Sequence, residues 1–134
     1  MPSADLAERL VNRQNSGKPV RVGLVGAGKF GTMFLAQSRT TVGLNPSVVV
    51  DLDPSRAASA LTRVGWPAEQ VAAATTAGEL SEMALRGQVG VTTDVGAAIA
   101  SGIDVLVEST GDVSAAAGHA VAAFEAGVHV VMVT

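Results

Sequence analysis

The chain has 134 residues, a length that suits one domain with a substantial core. With 48% hydrophobic and 16% charged residues the protein is globular, and a net charge of -3 with a pI near 5.2 disfavours binding to nucleic acid or to an anionic membrane. The absence of cysteine excludes a disulfide framework, a cysteine-ligated iron–sulfur cluster and thiolate catalysis.

The N-terminal sequence MPSADLAERLVNRQN mixes both charges and has no long apolar stretch, so it is not typical of a signal peptide. No run in the chain approaches the roughly 18 apolar residues that a membrane helix needs. We therefore expect a cytoplasmic protein with no membrane partner.

Helices and strands are predicted to alternate along the chain. Three apolar residues followed by a glycine predict a leading helix over residues 1–17, and residues 18–134 are predicted to form the main domain. The alanine-rich residues 66–88 favour one or two short helices. Five aliphatic runs predict strands, at residues 20–25, 47–52, 89–92, 103–107 and 128–133. This alternation is typical of an α/β, Rossmann-like doubly wound parallel sheet, for which we expect five strands in the order 3-2-1-4-5.

A glycine-rich segment between the first predicted strand and the next helix is the most informative stretch. It consists of Gly26, Ala27, Gly28, Lys29, Phe30 and Gly31, in the pattern G-x-G-x-x-G. In a dinucleotide-binding domain, Gly26 permits a tight turn, Gly28 lets a pyrophosphate approach bare backbone, and Gly31 lets the helix pack against the strand. The phosphates then meet the amides at the helix N-terminus. The alternative is a strand-to-helix turn with no ligand.

An acidic residue, Asp51, closes the second predicted strand 20 positions after Gly31, as the dinucleotide-binding pattern requires. Its carboxylate can accept hydrogen bonds from both hydroxyls of the adenosine ribose, which favours NAD. Arg56 follows in the next helix and either binds a 2′-phosphate, which favours NADP, or lies on a solvated helix face. Lys29 is either a second phosphate contact or an exposed helix residue. The choice between NAD and NADP stays open at this point.

A second polar segment, VESTGD, follows the fourth predicted strand. Ser109, Thr110 and Gly111 lie where ligands bind in open α/β sheets, and we expect their backbone to contact the nicotinamide ribose. The alternative is a polar turn with a helix cap. Thr92 and Thr93, after the third predicted strand, are candidates for lining the adenine side.

Neither of the two histidines is predicted to be functional. His119 is expected in the middle of a helix, away from the strand ends, and His129 at the end of a strand opposite the ligand. Neither has a partner at the spacing of a catalytic triad or a metal site, so we expect structural roles and no metal. Glu108 is expected near the ligand edge without a partner.

Four stretches carry a resemblance to a known family. They are GKPVRVGLVGAGKFGTMFLAQ, VVDLDPSRA, VGWP and DVLVESTGD…AGHAVAAFEAGVHVVMVT. Together they resemble the homoserine-dehydrogenase-like oxidoreductases with a C-terminal SAF domain. That group includes the deoxyxylulose phosphate reductoisomerase-like enzymes, which use NADPH in isoprenoid synthesis. The resemblance implies a cofactor site formed by residues 26–31, by Asp51 with Leu52, and by residues 108–111.

The resemblance also implies a further domain, because relatives continue past the fifth strand into a catalytic and substrate-binding part, whereas this sequence ends at Thr134. We therefore expect an NAD(P)-binding domain that binds its cofactor without turnover, meets its small-molecule substrate through the missing domain, and can form a homo-oligomer. One alternative is a stand-alone module that senses NAD(H) without catalysis. Another is a remnant of a broken gene that binds no ligand.

Overall fold

A computed structural model describes residues 4–134 of the chain. The helices are α1 (Ala4–Asn15), α2 (Lys29–Arg39), α3 (Pro54–Arg63), α4 (Ala77–Leu85), α5 (Val95–Ile99) and α6 (Val113–Glu125), with a 3-10 turn at Ala68–Gln70. The strands are β1 (Val20–Val25), β2 (Leu44–Val50), β3 (Val71–Ala73), β4 (Val89–Thr92), β5 (Val105–Glu108) and β6 (His129–Met132). Residues 1–3 of the predicted leading helix lie outside the described part.

The sheet is parallel throughout, as predicted, but the predicted strand count and order are wrong. It has six strands in the order β3-β4-β2-β1-β5-β6. The additional strand, β3, pairs with β4 at one edge, where a helix was predicted. The other five strands lie side by side in the succession that was predicted for them. An α/β fold with a parallel sheet and intervening helices is therefore established.

Each face of the sheet carries its own hydrophobic core, because side chains along a strand alternate between the two faces. Val49 of β2 joins a cluster with Leu35 of α2 and Leu61 of α3. Its neighbour Val48 joins the opposite cluster with Leu80 of α4. Burying one such leucine contributes about 1.5–3 kcal/mol, so the two clusters fix which helices cover which face.

The predicted second strand begins too late, because β2 starts at Leu44 and includes Pro46. Proline lacks an amide hydrogen and is normally excluded from central strands. Here β4 pairs only with Val48 to Val50 of β2, so the segment around Pro46 has a neighbour on one side alone. Asp51 follows the strand rather than ending it.

The chain changes direction in the sheet at β1. From β1 it proceeds to β2, β3 and β4 on one side, and then crosses to β5 and β6 on the other. The carboxyl ends of β1 and β5 therefore meet at a topological switch point, which is where open α/β sheets bind ligands. Within residues 4–134, none of the helices has the length and apolar character to cross a membrane.

Candidate functional site

A cavity of about 740 Å³ runs along the carboxyl ends of β4, β2, β1 and β5. The predicted cofactor residues that line it are Gly26, Gly28, Lys29, Asp51, Leu52, Arg56, Ser109, Thr110 and Gly111. The other three, Ala27, Phe30 and Gly31, do not line it. The structure thus brings most of the predicted site together.

The glycine-rich loop is shaped by contacts that only glycine allows. Gly26 has a φ of 97°, and a Cβ built on it would lie 2.7 Å from the carbonyl oxygen of Ser109. A Cβ on Gly31 would lie 2.1 Å from the carbonyl oxygen of Gly26. These two glycines therefore hold β1, α2 and the loop after β5 close together. Gly28 faces the cavity instead, where a Cβ would meet only a guanidinium nitrogen of Arg56, at 2.8 Å.

Helix α2 begins at this loop without a capping side chain. Its N-cap residue is Gly28, and its first turn contains no acidic residue. The first-turn amides of a helix have no partner within the helix. In helices α3 to α6 a side chain accepts from one of them, the caps being Asp53, Thr76, Asp94 and Asp112. The amide end of α2 is left available to an anion beside the cavity.

Asp51 holds the glycine-rich loop in place. Its Oδ2 accepts a hydrogen bond from the amide of Ala27 at 2.9 Å, and its Oδ1 accepts one from the amide of Asp53 at 2.9 Å. The side chain is only 9% exposed. Both carboxylate oxygens are thus engaged by backbone, although each keeps a lone pair for a further donor. Leu52 beside it is 96% exposed and forms part of the cavity wall.

A basic recess adjoins the amide end of α2. Arg56 Nε donates to the carbonyl of Ala27 at 3.3 Å and lies 3.9 Å from Asp51 Oδ2. Arg56, Lys29 and Arg63 line a space of about 410 Å³ together with Ala27, Gly28 and Thr32. Sequence reasoning missed Arg63. The signal that could have found Arg63 is its spacing from Arg56, since residues seven apart lie on the same face of a helix.

Ser109 connects the loop after β5 to the glycine-rich loop. Its hydroxyl lies 2.9 Å from the carbonyl oxygen of Val25 and 3.0 Å from that of Gly26. Its amide also donates to the Val25 carbonyl at 2.9 Å. The side chain of Ser109 is therefore structural, and the next two residues, Thr110 and Gly111, line the cavity beside it.

The structure shows that the predictions for Glu108 and His119 are wrong. Glu108, expected to be unpaired, is fully buried at the end of β5 and bonded to Nδ1 of His119. His119, expected away from the strand ends, lines the cavity beside Thr110. The amide of Thr110 donates to Glu108 Oε1 at 2.8 Å, and the Thr134 hydroxyl donates to the same oxygen at 3.2 Å. No local pattern indicated this network, because it joins β5, α6 and the segment after β6.

The pKa of Glu108 reflects two opposing effects. Burial raises the pKa of this carboxyl, but hydrogen bonds from Thr110 and His119 together lower it by a larger amount. The pKa of Glu108 therefore lies below its usual value. Glu108 is therefore ionised at neutral pH. As a carboxylate it only accepts hydrogen bonds, so Nδ1 of His119 carries the proton that they share.

The two remaining candidates lie on the other side of the cavity. Thr93 lines it, whereas Thr92 is buried and its hydroxyl accepts from the amide of Asp94 at 3.1 Å. Among residues 4–134 there is no group of three histidine, cysteine or acidic side chains arranged to hold a metal ion. The chain matches no protein-family model and has no significant match among curated proteins.

Proposed function

We propose that this chain is the NAD(P)-binding domain of an oxidoreductase, which holds the nicotinamide for hydride transfer. The observation that carries the proposal is the glycine-rich loop at the switch point of the sheet. Gly28 exposes backbone to the cavity, and α2 begins there with free amides and no acidic residue. A pyrophosphate is the group that this combination of bare backbone, helix dipole and neighbouring Lys29 suits.

The length of the cavity supports a dinucleotide rather than a single phosphate. With the pyrophosphate at the loop after β1, one half of the ligand extends over Asp51 and Leu52 after β2. The other half extends over Thr110 and Gly111 after β5. Bound NAD(P)H supplies the hydride, and the chain binds and orients it. The sequence resemblance to SAF-domain oxidoreductases supports this reaction class, with the substrate bound by a further domain.

The basic recess favours NADP over NAD. Asp51, which would bind the ribose hydroxyls of NAD, is largely buried, and both of its oxygens accept backbone hydrogen bonds. Arg56, Lys29 and Arg63 converge beside it and would attract a 2′-phosphate. Because Arg56 is 56% exposed, its guanidinium is accessible to such a phosphate.

Calorimetric titration of the chain with NADPH and NADH tests the proposal. We expect saturable binding of both, with NADPH binding more tightly. Gly28→Ala should reduce the affinity at least tenfold, because the new methyl group would cover the bare backbone that the proposed pyrophosphate approaches and would lie 2.8 Å from a guanidinium nitrogen of Arg56. The matched control, Gly118→Ala in α6, should bind like the wild type, since a Cβ there meets no other group within 4 Å. Absence of binding, or an unchanged affinity in Gly28→Ala, would contradict the proposal.

A second titration addresses the preference for NADP. Arg56→Ala and Arg63→Ala should each weaken NADPH binding by about five- to tenfold. The affinity for NADH should stay within about twofold of the wild-type value. Arg86→Ala, which removes an exposed cation near the end of α4, controls for the change in net charge. Equal losses for the two nucleotides would assign these arginines to a phosphate that NADH and NADPH share.

A further inference from the structure

The Glu108–His119 pair is the part of the cavity that the proposed function does not use. The imidazole of His119 is partly exposed, with 22% of the side chain accessible, and it lines the cavity together with Gly111 and Ala115. Its Nδ1 is bound to Glu108, so one of its two nitrogens has a fixed partner.

The second ring nitrogen of His119 is open to the cavity. Within residues 4–134, Nε2 has no hydrogen-bond partner, and no buried side-chain nitrogen or oxygen is left without one. Nε2 is therefore accessible rather than buried. In the neutral form of the ring, the Glu108 carboxylate keeps the proton on Nδ1, and Nε2 is then a hydrogen-bond acceptor.

The position of His119 along the cavity identifies its ligand. The adenosine side lies beyond β2, where Asp51 and Arg56 line the cavity, and the glycine-rich loop lies at the middle strand, β1. His119 is bonded to Glu108 at the carboxyl end of β5, which lies on the other side of β1 from β2. A dinucleotide with its pyrophosphate at the loop therefore extends its nicotinamide half toward His119. The carboxamide of that half carries an N–H₂ donor.

Building on the proposed function, we propose that His119 is a binding residue for the nicotinamide carboxamide. Its Nε2 accepts a hydrogen bond from the carboxamide N–H₂ group, and Glu108 is the positioning residue that fixes the ring and its tautomer. The network around Glu108 supports this role. Thr110 and Thr134 bind its second oxygen, so the carboxylate is held from three directions and the imidazole has little freedom to turn.

Two ligands that differ only at the nicotinamide separate this contact from the rest of the site. NADPH carries the ring, and 2′-phospho-ADP-ribose lacks it. We expect His119→Ala to lower the affinity for NADPH by about five- to tenfold, as the loss of one hydrogen bond predicts. The affinity for 2′-phospho-ADP-ribose should stay within about twofold of the wild-type value. His129→Ala is the matched control, because His129 is exposed at the amino end of β6 and should affect neither ligand. Equal effects on both ligands, or no effect on either, would overturn the assignment.

A measurement on the unmodified chain keeps the test independent of how well His119→Ala folds. The sequence has two histidines, so ¹⁵N NMR resolves both imidazoles. We expect the Nε2 signal of His119 to shift when NADPH is added and to stay in place with 2′-phospho-ADP-ribose, while His129 serves as the internal reference. The same shift with both ligands, or none with NADPH bound, would overturn the inference alone. Failure of both ligands to bind would overturn the proposed function with it.

Discussion

Replacing Gly31 with alanine tests the tight packing of the glycine-rich loop. A Cβ at this position would lie 2.1 Å from the carbonyl oxygen of Gly26, well inside the 3.0 Å below which Cβ contacts essentially never occur. Gly26 has little freedom to retreat. Its amide donates to the Val50 carbonyl at 2.8 Å, and its own carbonyl lies 3.0 Å from the Ser109 hydroxyl. The strain would therefore spread into β2 and the loop after β5.

Two opposing effects set the size of the loss in Gly31→Ala. Alanine is favoured over glycine in a helix by about 0.8–1.0 kcal/mol, which would stabilise α2. Overpacking costs about 1–3 kcal/mol, and a clash with backbone belongs at the upper end. We expect a net loss of about 2 kcal/mol in the free energy of unfolding. For a chain of this size that lowers Tm by roughly 6–10 °C.

Urea unfolding measures this loss, with fluorescence of the single tryptophan as the probe. Trp66 packs against the core beneath α2 and α3, so its emission reports on that face of the sheet. Gly118→Ala is the matched control, since it makes the same change in a helix where no other group lies within 4 Å. The free energy of unfolding of Gly118→Ala should rise by up to about 1 kcal/mol. The reasoning is refuted if Gly31→Ala is as stable as the wild type or as Gly118→Ala.

Three further variants probe residues in or beside the cavity wall. Asp51→Ala should lose about 1–3 kcal/mol of unfolding free energy without any ligand, because the amides of Ala27 and Asp53 lose their acceptor. Unchanged stability in urea would show that the loop holds its shape without the Asp51 carboxylate. Leu52→Ser should change the stability by less than about 0.5 kcal/mol in the same assay, since Leu52 is 96% exposed, and a larger loss would contradict that exposure. The pKa of Glu108 is lowered from its usual 4.5 on folding, so its ionised form stabilises the protein above that pH, and this contribution is lost as the pH falls through the lower folded pKa. The stability advantage of the wild type over Glu108→Gln should therefore shrink as the pH falls below about 4.5, and a difference in stability that does not depend on pH would contradict the lowered pKa of Glu108.

The strands that the sequence predicts are those whose signal is local. β1 and β4 are short aliphatic runs, and the structure places strands there. β3 gives no such signal, because two of its three residues are alanines, which are poor strand formers, and its position depends on pairing with β4. Its absence from the prediction made the strand count wrong.

The residues of the candidate site also divide into those with a local signal in the sequence and those without one. Gly26, Gly28 and Asp51 follow a pattern that strand, loop and helix impose along the chain, so the sequence places them at the cavity. The contact of Glu108 with His119 depends on how α6 lies over the end of β5. Only the packed fold determines that, and the predicted helical position of His119, away from the strand ends, therefore suggested a structural role.

The anchoring of the glycine-rich loop by Asp51 has a consequence for the speed of recognition. The segment from Gly26 to Gly28 is held in place without a ligand, since the Ala27 amide is already bound to Asp51, and under the proposed function it is a preformed surface for the nucleotide. A preformed surface of this kind loses little chain entropy on association. Stopped-flow mixing with a nucleotide should then give a single phase whose rate rises linearly with concentration, with no slow rearrangement following the encounter.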